Sequence, residues 1–283
     1  MAVEVRPAPP SALEELIRSV ADTPDRPKPW VDVATYPWNE EEFSSRYVRR
    51  ANYQSLYGMK DTGDEVEDII TLLNPQPKAR LLDLCSGNGR HAIAMALRSY
   101  RVTGIDIGPG AVSLARDTAR NLGLSVDFRQ LDVLHISFED LYDGAYLTCG
   151  GFSDFSPAEG QALLQAVERA LSPGGRIVVE FADADTGRAP DLRTWQFVQA
   201  ETSLYMDGSH LQLDERNFDP EPATEVERCY VVPSDGRVRE FTRCRQLYTE
   251  ASMRFALESA RFDMLSFSPG SAPGLKKAAA KKR

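Results

Sequence analysis

Apolar and polar positions fall along this 283-residue chain in blocks that predict strands and helices in alternation. The run ARLLDL is short, apolar and stopped by small residues, which predicts a buried strand, and RVTGID predicts a second one. Between them HAIAMALRS has the spacing of a helix. A strand, a helix and a strand in this order join parallel strands. The pattern therefore predicts an α/β fold with a doubly wound, mainly parallel sheet covered by helices on both faces.

The pattern continues on both sides of this unit. Downstream, two amphipathic helices separate the further runs SVDFRQ, GAYLTC and GRIVVEF, which predict the third, fourth and fifth strands of the same sheet. Upstream, residues 39–73 have a helical pattern that includes Tyr47, Tyr53 and Tyr57, and residues 1–40 are rich in proline. We expect an amino-terminal arm followed by a helical cap.

Beyond Phe181 the apolar positions change to alternation with polar ones. The segments SLYMDGSHLQLDERNFD, ATEVERCYVVP and GRVREFTRCRQLY show this alternation and are separated by turn signals. They predict an inserted antiparallel meander, which would act as a lid or a subunit interface. A helix, TEASMRFALESA, and a strand, RFDMLSFS, then return the chain to the sheet.

The last segment, SPGSAPGLKKAAAKKR, shows no apolar alternation, and five of the final eight residues are basic. It predicts a solvated tail. The sheet would then lack its final strand, and because an open edge invites pairing, we expect the amino-terminal arm, a partner chain or a second copy in a homodimer to cover it. The predicted parts are the arm and cap at 1–73, the α/β core at 74–183 and 247–270, the insertion at 184–246 and the basic tail at 271–283.

The chemistry is concentrated in the loop after the first strand. Gly87 and Gly89 lack Cβ atoms, so the backbone can turn tightly there and approach a ligand. The same residues fit a dinucleotide-binding loop, G-x-G-x-x-A, with Asp106 near the place of the ribose-binding acid. Asp83 argues against a dinucleotide, because its carboxylate would repel a pyrophosphate. It could instead reach the ammonium or sulfonium side of S-adenosylmethionine.

The stretch DLCSGNG, residues 83–89, resembles motif I of the class I S-adenosylmethionine-dependent methyltransferases, D-x-G-x-G-x-G, with Cys85 in place of the first glycine. The stretch LSPGGRI resembles a second signature of this superfamily, L-x-P-G-G-x followed by a hydrophobic residue. Together the matching motifs cover residues 81–181 in the expected order. The resemblance implies a Rossmann-like methyltransferase of the small-molecule type, with S-adenosylmethionine as cofactor.

The resemblance also implies roles for single residues. Asp106 would hold both ribose hydroxyls, since two carboxylate oxygens match a vicinal diol, and it should have few partners within the protein. Asp132 would accept a hydrogen bond from the adenine amino group unless it is a solvated loop acid, and the N–H of Val133 would bond a ring nitrogen. The implied cofactor-binding residues are Asp83, Cys85, Ser86, Gly87, Gly89, Asp106, Ile107, Asp132, Val133 and Cys149.

The acceptor is less well defined by the sequence. Members of this superfamily that methylate amino groups of bases or of glutamine carry an Asn/Asp-Pro-Pro-aromatic turn after the fourth strand, whereas this chain has CGGF at residues 149–152. A small-molecule acceptor methylated on O, N or C, as in natural-product biosynthesis, is therefore the better expectation. A general base is optional in such a transfer, and the candidates for catalytic residues are His210 in the insertion and Tyr57 in the cap.

Composition limits the kinds of binding partner and the cellular compartment that we expect for this protein. The net charge of −9 argues against a nucleic-acid partner, because an acidic surface repels phosphate backbones. Four cysteines without C-x-x-C spacing predict reduced thiols and no metal site. We find no signal-peptide pattern and no apolar run approaching 18 residues, so we expect a soluble, cytoplasmic protein that does not contact membranes.

Three classes of function stay open on this evidence. The first is a small-molecule methyltransferase, which we predict. The second is a protein of the same fold that binds S-adenosylmethionine but catalyses a non-methylating reaction, and the third is a catalytically silent partner subunit. A nicotinamide-dependent dehydrogenase is a more distant alternative, because Asp83 disfavours its cofactor.

Overall fold

The computed structural model describes residues 29–30, 36–50 and 61–283 of the chain. These residues belong to two compact units. Of the described residues, 37–50, 61–189 and 245–283 form the core unit, and 29–30, 36 and 190–244 form the antiparallel unit. The candidate catalytic residue Tyr57 and its neighbour Tyr53 lie outside the described residues.

The elements follow the order in which helices and strands were predicted, with two further strands, Leu192–Val198 and Leu275–Lys282, that were not predicted. The strands are β1 (Arg80–Leu84), β2 (Arg101–Asp106), β3 (Asp127–Gln130), β4 (Tyr142–Leu147), β5 (Leu171–Asp183), β6 (Leu192–Val198), β7 (His210–Asp219), β8 (Thr224–Pro233), β9 (Arg239–Tyr248), β10 (Phe262–Pro269) and β11 (Leu275–Lys282). The α-helices are α1 (Glu41–Arg50), α2 (Thr62–Leu73), α3 (Arg90–Leu97), α4 (Pro109–Asn121), α5 (Pro157–Ala170) and α6 (Glu250–Ser259).

The core unit is built on a mixed sheet in which the strands follow the order β3, β2, β1, β4, β5, β11, β10. Strands β1 to β5 pair in parallel. Strand β11 is antiparallel to both of its neighbours. The prediction of a doubly wound, mainly parallel sheet is confirmed, and the carboxyl ends of β1, β2 and β4 share one edge of it.

Two apolar layers cover this sheet. Helices α2, α3 and α4 pack on one face through residues such as Ile69, Met95 and Ala115. Helices α5 and α6 pack on the other face through residues such as Val167 and Leu257. Both faces are therefore buried, which explains why β1, β4 and β5 are nearly continuous apolar runs rather than alternating ones.

Strand β11 contradicts the prediction of a solvated tail at residues 271–283. It pairs with β5 from Leu275, opposite Ala182, to Lys281, opposite Arg176, and it pairs with β10 on its other side. The edge of β5 is thus occupied by this chain's own carboxyl-terminal strand. The expectation that the amino-terminal arm or another chain covers that edge is wrong, and a homodimer formed through another surface stays a prediction.

The physical reason for this error lies in the composition of β11. Alanine and lysine have low strand propensity, so the segment LKKAAAKK carries no strand signal of its own. Its three alanines are nonetheless at most 1% exposed. Ala279 packs in the layer of α2 to α4, and Ala278 and Ala280 pack in the layer of α5 and α6. Pairing on both sides and packing on both faces make this segment a strand.

The antiparallel unit contains the strands β6, β7 and β8, with β9 next to β8. Strand β7 is antiparallel to β6 and to β8, and His210 stands opposite Val198 on one side and Pro233 on the other. The predicted antiparallel meander is confirmed, and its role as a lid or a subunit interface stays a prediction. In the part of the chain that the structure describes, no helix is both long and apolar enough to cross a membrane.

Candidate cofactor-binding site

The glycine loop lies between β1 and α3, at the carboxyl edge of the sheet. Gly89 has a φ of +76°, and a Cβ on it would lie 2.5 Å from the ring of Phe128 and 2.9 Å from the Cβ of Ala115. Only glycine fits this position, because conformation and packing both exclude a side chain. The loop is therefore held against β3 and α4, with its backbone at the edge where ligands bind in open α/β sheets.

Cys85 occupies the position where motif I has its first glycine. Its φ is +54°, in the left-handed region that glycine adopts without strain and that costs other residues about 1 kcal/mol or more. Its side chain is exposed. The loop thus keeps the shape that the motif requires, and the substitution adds backbone strain at that residue.

Asp106, the last residue of β2, holds the loop through both carboxylate oxygens. Its Oδ2 accepts a hydrogen bond from the N–H of Gly87 at 2.7 Å, and its Oδ1 accepts one from the N–H of Gly108 at 2.8 Å. Burial raises the pKa of Asp106, although these two N–H groups oppose the rise. The expectation that Asp106 has few partners within the protein is wrong. Each oxygen keeps a second lone pair, so the carboxylate can still accept from a diol.

Asp83 lies inside β1 and is almost entirely buried. Its Oδ2 makes no hydrogen bond of good geometry to the described residues, although the hydroxyl of Tyr146 lies close enough to oppose the rise in the pKa of Asp83. Burial raises the pKa of Asp83 well above its ordinary value, and the nearby charge of Asp106 adds to the rise. A buried acceptor oxygen without a well-placed partner is costly unless a ligand or a water supplies a donor.

Three further predicted residues lie around the ends of β2 and β3. The N–H of Leu131 donates to the carbonyl of Asp106 at 2.9 Å, which places the loop after β3 beside Asp106. In that loop Asp132 accepts from the N–H of Leu134 at 2.9 Å and lies 3.0 Å from the Nδ1 of His135. Val133 is buried, and Ile107 exposes apolar surface next to Asp106. Asp132 therefore caps a turn, with part of its carboxylate open to solvent.

Helix α1 packs against the start of α4, next to the loop. The hydroxyl of Ser44 accepts from the N–H of Gly110 at 3.1 Å, and a Cβ on Gly108 would lie 2.9 Å from the Cβ of Ser44. The absence of side chains at Gly108 and Gly110 lets α1 approach this closely. The predicted cap thus has a described helix beside Asp106, while its contact with a cofactor stays a prediction.

A buried polar network joins α2, the start of α3 and the end of β4. The carboxylate of Glu65 lies 2.7 Å from the Nη2 of Arg90 and 2.5 Å from the Nε2 of His91. Burial alone would raise the pKa of Glu65, but the hydrogen bond from His91 and the charge of Arg90 outweigh it and lower that pKa. Burial lowers the pKa of His91. A neutral His91 therefore donates from Nε2 to Glu65 and accepts at Nδ1 from the Thr148 hydroxyl, 3.3 Å away.

Cys149 follows Thr148 and shares this network. Its sulfur lies 3.2 Å from the Nη2 of Arg90, and burial raises the pKa of its thiol to about 11. Glu65, His91 and Cys149 bring three possible metal-ligand atoms within 4.8 Å of one another. However, the guanidinium of Arg90 contacts two of the three, so the cluster already surrounds a cation of the protein. We assign it no metal.

The turn after β4 is also held by the neighbouring strand β5. Glu180 on β5 accepts from the N–H of Gly150 at 2.9 Å, and from the N–H and hydroxyl of Ser271 at 2.5 and 2.8 Å. Glu180 is fully buried, and burial raises its pKa, although Lys277 opposes the rise. This carboxylate links the exit of β4 to the loop between β10 and β11.

His210 lies in the antiparallel unit and is buried. Its Nδ1 lies 2.9 Å from the carbonyl oxygen of Gly208, which makes Nδ1 the protonated nitrogen. Its Nε2 has no hydrogen-bond partner among the described residues. A catalytic role for His210 stays a prediction.

Sequence reasoning missed Glu65, Arg90, His91 and Glu180. Two signals were available. Arg90 and His91 open a helix, where the dipole disfavours positive charge, so acidic partners should have been sought. Glu180 interrupts the apolar run of a strand buried on both faces, where a carboxylate must be satisfied by donors.

Comparisons with known proteins agree with this geometry. Residues 81–175 match the methyltransferase-domain family. The ubiquinone biosynthesis O-methyltransferase of Marinobacter nauticus is 32% identical over 135 residues, which are 46% of this chain and 55% of that protein. The demethylmenaquinone methyltransferase of Deinococcus radiodurans is 34% identical over 111 residues, 38% of this chain and 45% of that protein. The chain thus spans about half the length of the curated relatives it matches.

Solved structures extend the likeness in fold over most of the chain. An S-adenosylmethionine-dependent methyltransferase from Clostridium acetobutylicum has a TM-score of 0.62 at 14% identity and covers 81% of this chain and 96% of its own. An amino pentose methyltransferase from Micromonospora echinaspora has a TM-score of 0.58 at 21% identity, covering 79% of this chain and 92% of its own. Residues 81–175 therefore match the methyltransferase-domain family, and the described chain has the fold of class I S-adenosylmethionine-dependent methyltransferases.

Proposed function

We propose that this protein transfers a methyl group from S-adenosylmethionine to a small-molecule acceptor. The observation that carries the proposal is the geometry of Asp106. Its carboxylate holds the glycine loop through Gly87 and ends β2 at the ligand-binding edge, with one lone pair left on each oxygen. The buried Oδ2 of Asp83 supports it further, because the amino group of S-adenosylmethionine would supply a well-placed donor.

The described residues fit this cofactor part by part. Asp106 would bind the two ribose hydroxyls, and Asp83 would bind the ammonium group. Ile107 would supply an apolar surface for adenine, while Asp132 and the N–H of Val133 would bond its edge. The remaining residues proposed to line the site are Cys85, Ser86, Gly87, Gly89 and Cys149.

The protein's own contribution to the transfer is mainly to position the reactants. Bound S-adenosylmethionine supplies a methyl group on a positively charged sulfur, which an acceptor atom can attack in line. The chain must hold that acceptor atom about 3 Å from the methyl carbon and keep water out. The preformed glycine loop and the doubly anchored turn after β4 would give the rigid walls that such positioning needs. His210 is the candidate to accept a proton if the acceptor is a hydroxyl.

The acceptor atom is open between O, N and C. The curated relatives are named for ubiquinone and demethylmenaquinone methylation, and one structural neighbour is named as an amino pentose methyltransferase. Quinol and amine acceptors are therefore both worth testing, and a setting in natural-product biosynthesis is compatible with either.

Two experiments test the proposal. Calorimetric titration with S-adenosylhomocysteine and with NAD should show binding of the first alone, and binding of NAD alone would refute the cofactor. Methyl-labelled S-adenosylmethionine with a panel of catechols, quinols and amino sugars should release S-adenosylhomocysteine in step with labelled product. Cofactor binding with acceptor turnover but no labelled product would instead support the non-methylating alternative. A silent partner subunit is disfavoured, because the sheet has its final strand.

A further inference from the structure

The exit of β4 contains two consecutive residues in the left-handed conformation. Cys149 has a φ of +60° and Gly150 has a φ of +69°. For glycine this conformation is ordinary, but for cysteine it is strained and persists only if surrounding contacts impose it. Strained backbone of this kind concentrates at functional sites. Cys149 contacts Arg90, the first residue of α3, which is the helix that follows the glycine loop.

Contacts from the start of α3 and from the neighbouring strands β5 and β11 fix this turn residue by residue. Thr148 contacts His91, and Cys149 contacts Arg90. Gly150 donates its N–H to Glu180, and a Cβ on Gly150 would lie 2.9 Å from the side chain of Leu275. A shift of the turn at Gly150 would break its buried hydrogen bond to Glu180.

Glu180 on β5 is the residue that connects the turn to the loop between β10 and β11. Its carboxylate is fully buried and accepts three hydrogen bonds, one from Gly150 and two from Ser271. A buried carboxylate needs such donors and a compensating charge. The buried Lys277 on β11 supplies that charge, and Lys277 is itself paired with Asp68 on α2 at 3.1 Å.

We propose that Glu180 is a positioning residue, which holds the Cys149–Gly150 turn in its left-handed conformation and thereby fixes the wall of the cofactor site after β4. This inference rests on the proposed function, because it takes that turn to face bound S-adenosylmethionine. The carboxyl-terminal segment contributes to the same support. Ser271 donates two hydrogen bonds to Glu180, and the side chain of Leu275 at the start of β11 lies next to Gly150.

The thiol of Cys149 gives a direct readout of the turn that needs no acceptor. Alkylation by N-ethylmaleimide requires an accessible thiolate, and burial raises the pKa of Cys149 to about 11, so the intact turn should react slowly at pH 8. Peptide mapping by mass spectrometry follows the alkylation of Cys149, and added glutathione serves as an external reference. Release of the turn should expose the thiol and raise its rate.

The test compares three variants of the full-length protein. Glu180→Gln removes the charge, and Glu180→Asp keeps the charge but shortens the reach to Gly150. Asp68→Asn is the matched control, because it removes a carboxylate partner of Lys277 without touching the turn. We expect both Glu180 variants to raise the alkylation rate of Cys149 at least fivefold relative to glutathione, and Asp68→Asn to stay within twofold of wild type.

A cofactor arm distinguishes this inference from the proposed function. Saturating S-adenosylhomocysteine should slow alkylation of Cys149 at least fivefold in wild type and much less in the Glu180 variants. Equal rates in the Glu180 variants and in Asp68→Asn would overturn the inference even if the ligand binds. Failure of wild type to bind S-adenosylhomocysteine in calorimetry would refute the proposed function, while the ligand-free comparison would still decide whether Glu180 holds the turn.

Discussion

Replacement of Asp106 by asparagine tests the site most directly, and the hydrogen bonds of Asp106 determine how large the loss of stability should be. The carboxylate accepts from Gly87 and Gly108, and in the amide one oxygen is replaced by an NH₂ group that faces a backbone N–H. One charge-assisted hydrogen bond is lost and the other is weakened, each of them worth about 1.5–3 kcal/mol. We therefore expect Asp106→Asn to lower the free energy of unfolding by roughly 1–3 kcal/mol without ligand, which lowers Tm by several degrees.

Cofactor affinity should fall by an additional amount. The amide cannot accept from both ribose hydroxyls, so S-adenosylhomocysteine binding should weaken by about 2–4 kcal/mol, or roughly 30- to 1000-fold. Kd is measured by calorimetry at a temperature where the variant is fully folded. Because Asp106 holds the loop as well, the drop in Tm alone cannot identify it as a ligand residue.

Thr249→Ala provides a control of comparable instability. Thr249 caps α6 and has no contact with the glycine loop, so its loss should cost about 1 kcal/mol of stability. Its Kd for S-adenosylhomocysteine should equal that of wild type. A Kd within threefold of wild type for folded Asp106→Asn would refute the assignment of Asp106 to the ribose, whatever its Tm.

Three other perturbations follow from the geometry of the loop. Cys85→Gly removes left-handed strain and should raise the free energy of unfolding by roughly 0.5–1 kcal/mol in a denaturant titration, whereas Cys85→Ala keeps the Cβ and should give no gain. Gly89→Ala places a Cβ against Phe128 and should lower Tm and abolish measurable S-adenosylhomocysteine binding; unchanged affinity would contradict the loop's packing. The pKa of buried Asp83 is raised in the free protein, and a bound ammonium group favours its ionised form, so binding should release a proton and strengthen as pH rises toward that pKa. Calorimetry in two buffers of different ionisation enthalpy measures the number of protons released on binding. If Asp83→Asn still released a proton, another group would be its source.

The parallel core was predictable because its sequence signals are local. Strands β1, β2, β4 and β5 are apolar runs between turn residues, and the intervening helices have a helical period and clear starts, such as the capping box at Ser156. The glycine loop and Asp106 were predictable for the same reason, since a strand, a loop and a helix are contiguous in the sequence. The hydrogen bonds of Asp106 to Gly87 and Gly108 were not, because they depend on loop conformation.

Strand β11 and the buried ionic contacts were not predictable because their causes are not local. The alanines of β11 suit a strand that is packed on both faces, which only the assembled sheet reveals. Glu65 and Arg90 are 25 residues apart, and Lys277 and Asp68 are 209 apart. Periodicity cannot identify partners at such separations, so charged residues in apolar surroundings were left without an explanation.

These buried charges are poorly explained by stability alone. Burying an ion pair costs desolvation energy that its attraction repays only with good geometry, and apolar replacements of similar volume are often equally stable or more so. The two networks, Glu65 with Arg90 and Glu180 with Lys277, reach the same turn from different elements. If their role is to fix that turn, the variant Glu180→Leu, Ser271→Ala, Lys277→Met should lose little more free energy of unfolding than the cost of leaving the N–H groups of Gly150 and Ser271 without an acceptor, about 1–3 kcal/mol each. It should nonetheless lose the slow alkylation of Cys149. A variant that unfolds, or one that is stable with Cys149 still protected, would show that the buried charges serve the fold and not the site.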